Sequence, residues 1–192
     1  MKFLVLMAPK AGINYATSFY RALGYDVRAN QIKPDGAISW RFASDEEDID
    51  YDQFDVILHQ VRNPLNCVYA LGTVDYNTSH HISRGINAYL PEDSIDRYKR
   101  IHKGMKIWHP WNAMCEKKAV LSYRVEDLRP GTDTVAAIAA LLGFDPADAP
   151  DVPYQWDSTD NALDATVLEM RAQNPLLEYN LVALAKSYGY VL

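Results

Sequence analysis

Phe3-Leu4-Val5-Leu6-Met7-Ala8-Pro9-Lys10-Ala11-Gly12-Ile13-Asn14-Tyr15 is the stretch on which the reading of the chain turns. Its first half is a short unbroken apolar run, the pattern of a strand buried on both faces of a parallel sheet. The run breaks at Pro9 and Gly12, then resumes as an amphipathic helix from Tyr15 to Leu23 that stops at Gly24. A strand, a tight loop carrying one lysine and a helix N-terminus together aim backbone N–H groups at one spot. Such a spot favours an anion, phosphate above all, and Lys10 adds a mobile positive charge beside it. The loop is not a Walker A loop: its lysine precedes the glycine and no Ser or Thr stands at the magnesium position.

The rest of the composition narrows the class. A chain of 192 residues suffices for one well-cored domain spanning 1–192 and is short for two. At 48% hydrophobic residues it folds rather than staying disordered. The net charge of −6 argues against general nucleic-acid binding while leaving room for a local basic pocket. Two cysteines, Cys67 and Cys115, build no disulfide framework and have no zinc-like spacing. That usage suits a reducing, cytoplasmic setting. The N-terminal apolar run is too short for a secretory signal, and no segment reaches the roughly 20 apolar residues of a membrane span.

Downstream, Tyr25-Asp26-Val27 reads as a second strand. Lys33-Pro34-Asp35-Gly36 reads as a turn, and Ala37 to Phe42 as a further strand. Asp45 to Asp52 is an acidic run expected to be a solvated loop. Phe54 to Val61 is a buried strand that runs into Arg62-Asn63-Pro64, with Asn63 as cap and Pro64 as first residue of a helix. Thr73 to Pro91, holding His80 and His81, reads as an irregular polar connection. A long helical region from Ser94 to Lys118 contains Trp108, Pro110 and Trp111. Ala119 to Tyr123 is a further strand, Asp133 to Leu142 a helix closed by Gly143, Pro146 to Pro153 a loop, and Leu163–Arg171 and Leu176–Tyr188 are helical. Strands alternating with helices predict a three-layer α/β/α domain with a mainly parallel sheet. Ligands in such sheets sit outside the carboxyl ends of the strands, so Lys10 and Arg62 are expected to share one crevice.

The motifs at these strand ends resemble those of P-loop sulfotransferases. Pro9-Lys10-Ala11-Gly12-Ile13-Asn14-Tyr15 is similar to the family's 5′-phosphosulfate loop, with Ala11, Ile13 and Asn14 in place of Ser, Thr and Thr. Arg62-Asn63-Pro64 looks like its 3′-phosphate segment. Tyr123-Arg124-Val125-Glu126-Asp127-Leu128 resembles its Arg-Tyr-Glu-Asp-Leu, and Asp35-Gly36-Ala37-Ile38-Ser39-Trp40 resembles a signature of a bacterial subgroup. The resemblance implies the P-loop NTPase-like sulfotransferase fold and binding of 3′-phosphoadenosine 5′-phosphosulfate (PAPS) or its product, adenosine 3′,5′-bisphosphate (PAP). It further implies sulfuryl transfer to a hydroxyl or amine of a small molecule or glycan. Pro9 to Tyr15 would hold the 5′-phosphate and Arg62 the 3′-phosphate. The family's helical serine falls at Ala70, its adenine-side tyrosine at Val125, and its C-terminal Arg-Lys-Gly is absent.

Transfer needs a clamp on the leaving phosphate and a base on the acceptor. Lys10 suits the clamp. The base candidates are His81 or its neighbour His80, reaching over the crevice, then Asp35, then His59, which equally reads as a hydrogen-bonded core histidine. Glu126 and Asp127 are expected to hold a helix start or pair with a basic side chain. Trp108 and Trp111 read as core, or as lining of the acceptor pocket. The alternative is a non-catalytic nucleotide-binding or interaction module that keeps the fold. A nucleotide kinase is disfavoured by the missing Walker A ending.

Overall fold

The computed structural model describes residues 1–44, 47–90, 96–153 and 164–192. Its sheet is built on β1 (Phe3–Met7), whose five residues are all 0% exposed. Neighbouring side chains on a strand point to opposite faces, so complete burial of the run requires cover on both. The other strands are β2 (Gly36–Ser39), β3 (Val56–Val61) and β4 (Leu121–Arg124). They pair in the order β2-β1-β3-β4, every pair parallel.

Two adjacent residues of β3 show what covers each face. Gln60 turns toward α1 (Ile13–Ala22): its side chain joins Tyr123, whose hydroxyl meets that of Tyr20 on this helix. His59 points the other way, onto Asn112 of α4 (Arg97–Lys118) and the ring of Tyr188 after α7 (Pro175–Ser187). Helix, sheet and helix form three layers. Four helices complete the described fold: α2 (Pro64–Leu71), α3 (Tyr76–Gly85), α5 (Asp133–Leu142) and α6 (Val167–Gln173). Asn63 caps α2 through Leu65 N and Pro64 opens it, while Gly143 ends α5 in the left-handed conformation, both as the residue types require.

Two expectations are corrected. Tyr25 to Val27 is not a strand, because the Asp26 N–H goes to the Asp35 carboxylate at 2.7 Å instead of to a neighbouring strand. The place beside β1 is taken by Gly36–Ser39. Gly36 has φ 139°, and a Cβ there would lie 1.8 Å from Phe3 O, so only glycine lets this strand start against β1. Thr73 to Pro91 is not irregular throughout, since Tyr76–Gly85 is helical. Asp75 caps that helix through Thr78 N at 2.9 Å, and Ser79 and Ile82 bury its inner face. The expected helix starts at Ser94 and Leu163 lie outside the described residues, as do Asp45 and Glu46 of the acidic run. In the described remainder of that run, Asp48, Asp50 and Asp52 are exposed, and Asp50 caps a short 3-10 turn. No described helix is long and apolar enough to cross a membrane.

The α2–α4 crossing is tight enough to test. A Cβ on Gly104 would stand 1.8 Å from Val68 O, and one on Gly72 would stand 2.1 Å from Arg100 O. Backbone cannot yield as a flexible side chain does. Gly104→Ala should therefore cost about 1–3 kcal/mol in urea unfolding, the usual cost of overpacking, despite alanine's better helix propensity. A variant as stable as the parent would contradict this packing.

Candidate functional site

The chain leaves β1 through Ala8 and Pro9, turns at Lys10 (φ 63°) and Gly12 (φ 91°), and enters α1 directly. Three successive carbonyls of this loop point inward onto side chains from the end of β3 and from α2, which follows it. Gln60 Nε2 donates to Ala11 O at 2.7 Å and Arg62 Nη1 donates to Lys10 O at 2.7 Å. The Cys67 thiol lies 3.9 Å from both Pro9 O and Lys10 O. Gln60 is itself fixed, because its Oε1 accepts from Tyr123 OH at 3.1 Å. The Ala11 N–H closes the turn onto Ala8 O at 3.2 Å, so the strap on Ala11 O leaves Gly12 as the first amide on the opposite side of the loop.

That side continues into a helix start of unusual polarity. The other six described α-helices each receive a side-chain cap, from Asn63, Asp75, Asp96, Thr132, Thr166 and Asn174. Gly12 gives α1 no side-chain cap, and no acidic residue stands in its first turn. Helix geometry leaves the first-turn N–H groups without intrahelical acceptors, and the macrodipole makes the end positive. Lys10 is exposed beside it, and Arg62, 8% exposed, lies against the same loop. Of the site residues expected from the sequence, the structure thus brings Pro9 through Tyr15 and Arg62 together. Tyr15 secures the outer flank by donating its hydroxyl to Leu128 O.

The carboxyl end of the sheet carries a second group. Trp111 Nε1 donates to Met7 O at 3.1 Å and Trp108 Nε1 to Arg62 O at 3.1 Å, so both tryptophans are core residues that pin α4 to the ends of β1 and β3. Against Trp111 lies His81, its ring 6.4 Å away, with Trp40 edge-on at 5.4 Å. His81 Nε2 is 3.4 Å from Ser44 Oγ and Nδ1 is 3.6 Å from Glu47 Oε1. Its neighbour His80 is exposed on the outer side of α3. Asp35 is at the opposite end of the sheet: its carbonyl accepts from Phe3 N, where β1 begins, and its carboxylate serves the Asp26 turn.

The remaining candidates have structural employment. Glu126 accepts from Asn63 N at 2.9 Å and from Tyr190 OH at 2.8 Å, and Asp127 accepts from Arg124 Nε at 2.6 Å. Both do what the bland reading of the sequence expects. His59 is wholly buried between Ser122 Oγ and Asn112 Oδ1, each at 3.0 Å. Among the described residues, no group of His, Cys, Asp and Glu could hold a metal ion. Gln60, Ser44 and Glu47 are the residues that sequence reading missed. A glutamine inside a buried strand was a visible signal for the first, because a buried amide must find partners.

Burial pushes the His59 imidazole down from 6.5 to about 4. The unfolded chain therefore binds this proton first as pH falls. The stability from keeping His59 neutral is full above about pH 6.5 and is lost between there and pH 4. His59→Gln should be less stable at pH 7 and flatten the pH dependence of unfolding in that window, by at most about 1.4 kcal/mol per pH unit. Parallel curves for the two proteins would contradict a neutral buried His59. Comparison of the chain with models of known protein families and with curated proteins gives no match in either.

Proposed function

We propose that the chain is a sulfotransferase-like protein of the P-loop NTPase-like α/β fold. It would use PAPS to transfer a sulfuryl group to a hydroxyl or amine of a small molecule or glycan. The observation that carries this reading is the loop from Pro9 to Tyr15. Its carbonyls are strapped inward, its helix start is uncapped, and Lys10 stands at the turn. These are the requirements of a cradle for a terminal phosphate or sulfate. Two of the four sulfotransferase-like motifs read from the sequence stand on this same loop and on the strand end that straps it.

PAPS supplies an activated sulfuryl group, and the residues here have separable tasks. The loop amides and α1 take the 5′-phosphate. Lys10 neutralises charge that builds on the bridging oxygen as its bond to sulfur breaks, an effect larger in the transition state than in the bound state. Arg62 offers a guanidinium for the 3′-phosphate. His81 is the base candidate at this end of the sheet, and Asp35, at the other end, has no part.

One observation favours the second reading, a nucleotide-binding module without turnover. Arg62 is mostly buried and spends Nη1 on Lys10 O, and Glu126 already places a carboxylate at the start of α2. Lys10→Ala separates the two readings. An enzyme should lose on the order of a hundredfold in turnover, the scale of removing one charge-stabilising donor, with a far smaller loss in PAP affinity. The assay is transfer from labelled PAPS across a panel of hydroxyl and amine acceptors. Tight PAP binding with no turnover for any acceptor would leave the module reading standing. Arg62→Ala tests the cofactor assignment by calorimetry. Because Arg62 also steadies the loop, adenosine 5′-phosphate should weaken too, but PAP should weaken at least about tenfold more, one charge-assisted hydrogen bond's worth. Equal losses would refute the 3′-phosphate role.

A further inference from the structure

Gly12 is where the loop backbone has two ways to run. Turning over the Ala11–Gly12 peptide would carry the Gly12 φ from 91° to about −90°, and glycine accepts both signs. One orientation sends Ala11 O inward and the Gly12 N–H to the opposite side. The other sends the N–H inward and sets a carbonyl where an anion would arrive. Ala11 spends its own N–H on Ala8 O at 3.2 Å, so this one peptide decides the first group of the loop that a ligand meets. The choice lies with what the core offers to the peptide, and the core offers Gln60.

Gln60 is wholly buried, and its neighbours fix its orientation. Ala11 O at 2.7 Å, Gly12 O at 3.5 Å and, more weakly, the Met7 thioether at 3.8 Å all face Nε2, so that side must be a donor. Oε1 then faces Tyr123, which donates its hydroxyl at 3.1 Å. A hydroxyl has one proton, so at the Tyr20–Tyr123 contact of 3.2 Å Tyr20 is the donor. The relay therefore runs one way, from Tyr20 through Tyr123 and Gln60 to Ala11 O. Burial raises the pKa of both phenols, which keeps each proton in place. Among the described residues, the other titratable groups around the relay are Tyr25 near Tyr20 and Tyr15 near Tyr123. Arg62 and Cys67 lie on the neighbouring Lys10 carbonyl.

We propose that Gln60 is a positioning residue that locks the Ala11–Gly12 peptide, so that the Gly12 N–H and not the Ala11 carbonyl meets the 5′-phosphate. This rests on the sulfuryl-transfer reading, in which that loop holds the 5′-phosphate of PAPS. A side-chain amide suits the task because it donates at any pH. A carboxylate in its place would draw the Gly12 N–H inward and leave the Ala11 carbonyl facing the phosphate. A protonated carboxyl would keep the strap, since its O–H can donate to Ala11 O.

Calorimetry with PAP and with adenosine reads the lock. Gln60→Met keeps the volume and removes the donor. It should weaken PAP at least about tenfold, the worth of one hydrogen bond to an ionised group, and change adenosine, which has no phosphate, less than about twofold. Gln60→Glu should lose PAP affinity, relative to wild type at the same pH, between about pH 5 and about pH 8.5 as the introduced carboxyl, its pKa raised by burial, ionises. Recovered binding in acid shows that the variant folds. Tyr20→Phe removes only the far end of the relay and should leave PAP affinity within about twofold. Gln60→Met that binds PAP as tightly as wild type overturns the proposal, and so does Gln60→Glu whose affinity relative to wild type stays level or improves with pH. Wild type that binds no PAP at any pH overturns instead the cofactor reading, and this role with it.

Discussion

The hydrogen bonds from Gln60 and Arg62 to the loop after β1 are the constraint on which the rest depends. They take the carbonyls of Ala11 and Lys10 in turn, at 2.7 Å each, and the Cys67 thiol stands beside the same strip of backbone. A peptide group fixed by its oxygen has its N–H fixed too, on the opposite side. Of the two strapped peptides, the Lys10–Ala11 unit spends its N–H on Ala8 O and closes the turn, while the Ala11–Gly12 unit sets the direction of the Gly12 N–H. Without them the left-handed Lys10 would be a strained surface residue with no evident purpose.

The layers around β3 serve this arrangement. Gln60 is fixed by the Tyr20–Tyr123 hydroxyl pair, both of whose pKa values burial raises, so the chain of hydrogen bonds stays neutral. On the other face, Trp108 and Trp111 satisfy the carbonyls of Arg62 and Met7, where ladder bonding ends. Tyr190 closes the far side with bonds to Val61 O and Glu126, and Glu126 takes the Asn63 N–H at the start of α2. Each exit of the central strands is thus sealed by a large side chain with one polar tip, the use to which buried Tyr and Trp are best suited. Among the described residues, the positive loop and the His81–Glu47 pair are polar features at that end of the sheet.

How much of this was legible in the sequence follows from how local each signal is. The strands β1 and β3, the Asn63–Pro64 helix start and the Asp133-to-Leu142 helix closed by Gly143 were readable, because apolar runs and caps are written within a few residues. The edge strand beside β1 was not, because Tyr25 to Val27 and Gly36 to Ser39 both have strand character. The choice rests on Gly36 fitting against Phe3, a contact between residues far apart in the chain. Helix α3 was missed because its polar face, Asn77 to His81, hides a cap at Asp75 and a small buried residue, Ser79, where a larger apolar one is usual. That Lys10 and Arg62 lie at neighbouring strand ends could be read from topology alone, and the structure joins them through the Lys10 carbonyl. The partnership of His81 with Glu47 and Ser44 could not, since it joins a helix to a loop more than thirty residues earlier.

An outward amide edge makes a direct claim about individual N–H groups, and amide NMR during titration with PAP reads them one by one. Binding in the strapped loop should move the Gly12, Ile13 and Asn14 amides downfield more than any others, since each would gain an anionic acceptor. The same titration with adenosine alone should leave them nearly still. PAP that bound while shifting amides elsewhere and leaving Gly12 to Asn14 in place would contradict the account.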